Sequence, residues 1–138
     1  MNDPIAAAEK PLVWMGSSHK DIRECPDAIQ RDLGYALHFA QRGETHPHAR
    51  PMKGVLREVM EIVARDDRST YRGMYTVRLA GVVYVLHVFK KRSTHGIKTP
   101  QRQLDLIARR LADASMQHSF RYNHRARGPD GGETEGRG

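Results

Sequence analysis

One run constrains this chain more than any other. From Val82 to Phe89 (VVYVLHVF) nearly every residue is apolar. A run of that length and character reads as a central strand covered on both faces. The segment before it, about 71–79, alternates instead. Tyr71, Tyr75, Val77 and Leu79 point one way with Gly73 between them, while Arg72, Met74, Thr76 and Arg78 point the other. Ala80-Gly81 between the two segments predicts a tight hairpin. The hairpin carries Lys90, Lys91 and Arg92 to its end, and a helix is expected from Thr99-Pro100, where Thr caps and Pro fits the first position. Leu104, Ile107, Ala108 and Leu111 form that helix's apolar stripe.

The other elements follow from the same kind of spacing. Leu12-Val13-Trp14-Met15 reads as a short strand ended by Gly16, and Ser17 and Ser18 offer N-caps for a helix. Pro26 breaks that helix or opens a second one. Ile29, Leu33, Ala36, Leu37 and Ala40 lie on one helical face, and Gly43 suits a C-cap. Gly34, inside that helix, costs roughly 1 kcal/mol relative to Ala, which points to close packing there. Thr45 to Pro51 reads as a polar loop. Val55 to Ala64 reads as a strand, with Val55, Arg57, Val59, Glu61 and Val63 on one face and Leu56, Glu58, Met60, Ile62 and Ala64 on the other.

Consecutive strands joined by short turns predict a small antiparallel sheet. Helices gathered toward the ends of the chain predict an α+β fold with the helices on one sheet face. Residues 1–10 read as a loose leader and 11–117 as a single domain. Apolar content collapses after about residue 117, so 118–138, basic and then Gly-rich, reads as a disordered tail.

Charge narrows the function. The chain has 138 residues, 23 Lys plus Arg against 16 Asp plus Glu, a net charge of +7, and eight His. A small protein this basic is expected to meet a polyanion or an acidic protein. Cys25 is the sole cysteine, which excludes an intrachain disulfide and Cys-rich zinc sites and suits a reducing cytosol. No apolar run is long enough for a membrane helix, and the first ten residues lack the pattern of a signal peptide. A cytoplasmic location is expected. His46-Pro47-His48 offers two imidazoles but no identifiable third ligand, so neither a metal nor another cofactor is expected.

Several motifs, in order, resemble one family. They are Trp14-Met15-Gly16-Ser17-Ser18, Cys25-Pro26, Gly34-Tyr35, Val55 with Glu61-Ile62, Tyr71-Arg72 with Tyr75, and Tyr84-Val85-Leu86-His87. The most specific is Phe89-Lys90-Lys91-Arg92-Ser93 followed by Gly96-Ile97-Lys98-Thr99-Pro100. Over about residues 11–115 the chain resembles the RelE/ParE toxin superfamily, in its phage-derived HigB-like branch. The resemblance implies a RelE-like fold and a toxin of a type II toxin–antitoxin system. It also implies a HigA-like helix-turn-helix antitoxin as partner. Most RelE-like members cut messenger RNA on the ribosome, whereas ParE-like members poison DNA gyrase. The chain departs from the family pattern at Lys90, where glutamine is usual, at Arg92, where lysine is usual, and at Cys25, where an aromatic residue is common.

Metal-free RNA cleavage requires that the ribose 2′-OH lose a proton, the phosphorane be stabilised and the 5′-oxygen gain a proton. Arginine suits the second task because it stays charged and can hold two phosphate oxygens. Arg72 is the first candidate and Arg57 the second. Lys90, Lys91 and Arg92 are candidates for proton transfer because crowded cations lower one another's pKa. His87 and His95 are alternative acids or bases. Tyr71 and Tyr75 could stack on a base, and Lys53, Arg57, His95 and Lys98 could widen the RNA-binding surface. Each has a plainer competitor: a solvated strand end for Lys90 to Arg92, a partner-bonded core histidine for His87, and core packing for both tyrosines.

These readings favour a ribosome-dependent mRNA endonuclease whose antitoxin covers the basic surface. A toxin acting on DNA gyrase and a non-toxic nucleic-acid-binding module are the alternatives.

Overall fold

The computed structural model describes residues 9–91 and 99–127. Five strands form one sheet in the order β1-β5-β4-β3-β2. The strands are β1 Leu12–Trp14, β2 Ala49–Pro51, β3 Met60–Arg65, β4 Thr70–Thr76 and β5 Val83–Lys91; the helices are α1 Ser18–Arg23, α2 Asp27–Gln41 and α3 Gln101–Arg127. The α+β class holds, with two refinements.

First, the sheet is mixed. β2–β3, β3–β4 and β4–β5 are antiparallel, but β1 joins β5 in parallel through Leu12↔Val83, Val13↔Tyr84 and Trp14↔Val85. β1 and β5 are far apart in sequence, and their hydrophobic patterns do not reveal that they pair. β5 thus has a neighbour on each edge, and Val83 to Val88 are all buried, as the apolar run required.

Second, helices cover both faces. On one face, Ile29, Leu33, Ala36, Leu37 and Ala40 of α2 pack with Ile22 of α1 onto Ile62, Ala64, Tyr75, Val83, Val85 and Val88. This is the stripe that the spacing of α2 predicts. On the other face, Ile107 and Ala114 of α3 pack with Leu56 and Val59 onto Met74, Tyr84 and Leu86. Residues that alternate along β5 serve the two cores in turn. The alternation shifts at a bulge: Tyr75 pairs with Val85 and Met74 with His87, which leaves Leu86 without a direct partner. The shift keeps His87 on the α3 side.

Other boundaries differ from expectation. Gly54 adopts φ +68, and residues Gly54–Leu56 form a 3₁₀ turn, so only the second half of the Val55–Ala64 segment is strand. Val59 donates its N–H to Leu56 O and so closes the turn before β3 begins. The β4–β5 connection spans residues 77–82, longer than a two-residue hairpin, and Gly81 turns it at φ +80. The polar loop around His46 ends in the edge strand β2. Nothing approaches Gly34; α2 comes close to the sheet instead at Gly73, where an added Cβ would sit 3.3 Å from Leu33 Cδ2. Ala108 of the expected α3 stripe is exposed.

Helix α3 runs past residue 117 to Arg127. It is anchored there from the core: Ala114 is fully buried, and the Tyr84 hydroxyl lies 2.9 Å from His118 Nδ1. Residues 128–138, and most of the expected leader, lie outside the described residues. Lys10 itself is fixed by exchanging hydrogen bonds with Gln41: its N–H donates to Gln41 O at 2.9 Å, and Gln41 Nε2 donates to its carbonyl at 2.8 Å.

Candidate functional site

A groove of about 590 Å³ lies between the start of α3, the 3₁₀ turn and the sheet face that α3 covers. Its polar lining comes from Arg50, Lys53, Glu61, Arg72, Thr99, Gln101 and Asp105. Strand register explains why these groups meet. Arg50 pairs with Glu61 across β2–β3, Val63 with Arg72 across β3–β4, and Arg72 with Phe89 across β4–β5, so all of them point to one face.

Arg72 is the most constrained cation in the groove. Its side chain is 11% exposed, and Nη1 donates to Glu61 Oε2 in an ion pair. Its Nε–H is buried and has no acceptor. A buried donor left unmatched costs about 1–3 kcal/mol, which sets part of the stability cost of holding this guanidinium in the sheet face. Lys53 is exposed and extended at the head of the 3₁₀ turn. Gln101 Nε2 donates to Asp105 Oδ1 at 2.8 Å along the first turn of α3.

The remaining candidates separate. Lys91 pairs with Thr70 and shares the sheet face of Arg72 and Phe89, whereas Lys90 pairs with Tyr71 and shares the α2 face. The two lysines therefore do not form one cluster. Tyr71 packs at the edge of the α2-side core. Tyr75 belongs to that core at 2% exposure, and burial pushes its hydroxyl pKa up to about 12. Tyr75 is therefore corrected from a candidate base-stacking residue to a packing residue. Arg57 is exposed and donates to Gly54 O at 3.3 Å, outside the groove lining. Arg92, His95 and Lys98 lie outside the described residues.

His87 is also corrected. It is 7% exposed, stacks on Phe89 with ring centroids 4.7 Å apart, and both its ring nitrogens are engaged. Nε2 is 2.6 Å from Gln103 Oε1 and Nδ1 is 3.4 Å from Arg110 Nη1. With an arginine facing Nδ1, the proton belongs on Nε2, where it donates to Gln103. Burial, first, and the Arg110 charge push the His87 pKa down, against the opposing Gln103 hydrogen bond. A neutral histidine tied beneath α3 is a structural element, not a proton donor to the groove.

Sequence reasoning missed two residues. Glu61 stood in a motif without a role, because its partnership with Arg72 depends on a register that spacing does not give. Arg110 ties α3 to β5 and to the N-cap of α1: it donates to Leu86 O at 2.9 Å, faces His87, and reaches Ser17 Oγ at 3.3 Å. Ser17 in turn donates to Asp21 at 2.7 Å. Burial lowers the Arg110 pKa. Its only sequence signal was the i, i+3 offset from Ile107.

Among the described residues, no three His, Cys, Asp or Glu side chains gather to hold a metal ion, and no helix is long and apolar enough to cross a membrane.

Residues 20–112 match the family described as phage-derived protein Gp49-like. A solved toxin–antitoxin complex, RelBE2 from Mycobacterium tuberculosis, is similar at 17% identity and a TM-score of 0.43, over 60% of this chain and 99% of that one. A search of curated proteins returns no match.

Proposed function

The chain belongs to the Gp49-like family of phage-derived proteins, among the RelE/HigB-like toxins, and from that premise we propose that it is a cytoplasmic, ribosome-dependent mRNA endonuclease restrained by a HigA-like helix-turn-helix antitoxin. The observation that carries this reading is Arg72: a nearly buried guanidinium, oriented by Glu61, in a groove with Arg50 and Lys53 at hand.

In this reading the scissile phosphate enters the groove and meets the guanidinium of Arg72. As the phosphorane forms, its extra negative charge meets a cation already held in place. Such preorganised electrostatics supplies much of the rate enhancement in many enzymes. Glu61 is the carboxylate beside that phosphate and accepts the 2′-OH proton. Lys91, on the same sheet face, is the candidate donor to the leaving 5′-oxygen. None of these steps calls for a metal. Lys53 and Arg50 hold flanking phosphates, and the antitoxin would mask this face with acidic side chains.

The test is cleavage of a translated message by the purified chain on ribosomes, with chelator present. Cuts that leave a 2′,3′-cyclic phosphate support the reading. Intact message together with inhibited DNA gyrase would replace it with a gyrase-directed toxin.

A further inference from the structure

The groove does not end at Glu61. Arg50 and Glu61 also line a second hollow of about 480 Å³ at the β2 edge, with Asp32, His48 and Arg65. Asp32 and His48 then line a third hollow of about 230 Å³, with Tyr35 and His46. Shared walls thus connect Arg72 on β4, over the short edge strand, to Tyr35 on α2.

The far end of this path is aromatic. Tyr35 meets Phe39 edge to face at 5.0 Å and His46 at 5.6 Å; Phe39 meets His46, and His46 meets His48, each at 5.2 Å. The His48 N–H donates to His46 Nδ1 at 3.0 Å and fixes the loop that carries both rings. Rings locked edge to face are rigid yet keep flat faces available. Tyr35 is 58% exposed despite two ring neighbours, which core packing does not require. Arg50 and Arg65 stand along the path. Of the two carboxylates there, Glu61 is already paired with Arg72, leaving Asp32. Rigid, exposed π-faces beside arginines are what a single-stranded nucleic acid uses when it is held by stacking and backbone charge.

We propose that Tyr35, His46 and His48 form a base-stacking subsite for single-stranded RNA, continuous with the groove, where a strand crossing the β2 edge lays down bases flanking the scissile phosphate. The proposal rests on the RNA-cleaving reading of the groove. Through this subsite the chain would hold a longer strand more tightly than a short one that fills the groove alone.

The test uses 2′-O-methylated oligonucleotides, which a 2′-OH mechanism cannot cut. Binding to the intact chain is followed by fluorescence anisotropy for strands of about 4 and about 10 nucleotides, sizes that bracket a short and an extended single-strand site. The longer strand is expected to bind more tightly, and Tyr35→Ala to cost it about tenfold, the loss of one stacked base. The shorter strand should be little affected, and Tyr35→Phe should restore the tight binding. Tyr35 is exposed, so its truncation leaves the core intact, which circular dichroism checks. Equal affinity for both lengths and no effect of Tyr35→Ala, with Lys53→Ala still weakening both, would overturn the subsite and leave the groove reading in place. Failure of both strands to bind would overturn the subsite, and cleavage of a translated message on ribosomes then decides the groove reading separately.

Discussion

Arg72 and Glu61 stand on adjacent strands, two residues out of direct register, and their side chains close an ion pair on the floor of the groove. Diagonal neighbours on one sheet face are within reach of long side chains. The pair fixes the guanidinium and neutralises a carboxylate at a site where both are largely shielded from water. Arg72→Ala is therefore expected to reduce cleavage about a hundredfold or more. It should also cost about 1–3 kcal/mol of stability by leaving Glu61 unpaired. Glu61→Gln should retain RNA binding and slow the chemical step. Single-turnover cleavage and denaturant titrations of the three proteins separate these effects.

The register of β5 separates Lys90 from Lys91. Lys91→Ala should weaken RNA binding and reduce the salt dependence of the affinity by about one phosphate contact. Lys90→Ala, on the α2 face, should change neither by more than about twofold. Binding isotherms at several salt concentrations check both. Equal losses would show that the two lysines act together.

His87 gives stability a defined pH dependence. Its folded pKa lies below the unfolded value of about 6.5. Well above about pH 6.5 both states are neutral at this site and its contribution to folding is complete. As pH falls below that, the unfolded chain binds a proton that the folded chain resists, so stability declines until pH passes the lowered folded pKa. His87→Gln should flatten the stability profile between about pH 7 and 5. Urea midpoints across that range measure it, and unchanged slopes would contradict the buried, neutral histidine.

Gly16 lies under the Arg110 guanidinium. It has φ +54, and an added Cβ would sit 2.5 Å from Arg110 Cζ. Gly43 has φ +79 and open space around it. Gly43→Ala should cost about 1–2 kcal/mol for its left-handed backbone alone. Gly16→Ala should cost about 1 kcal/mol more, as Arg110 loses its bond to Leu86 O. Thermal melts of the two variants isolate that difference.

How much was legible in the sequence depended on the range of the interaction. The α2 stripe and the doubly covered β5 were readable because each is a local period facing one packing environment. The parallel pairing of β1, the bulge at Leu86 and the placement of α3 on the opposite face depend on contacts between distant residues. The site divided in the same way. Arg72 could be picked out from its chemistry and its place in an alternating strand, whereas Glu61 and Arg110 acquire meaning only from register and helix packing. His87 and Tyr75 carried suitable chemical groups, but their burial removes them from the groove surface.

The central claim is that the Arg72 groove cuts messenger RNA. The most direct test is to induce the chain without the proposed antitoxin and map new 5′ ends across cellular messages, alongside an Arg72→Ala, Lys91→Ala double variant at matched soluble expression. In-frame cuts within translated regions that vanish in the double variant are the predicted result. Growth arrest with intact messages, or cuts that persist undiminished in the double variant, would contradict it.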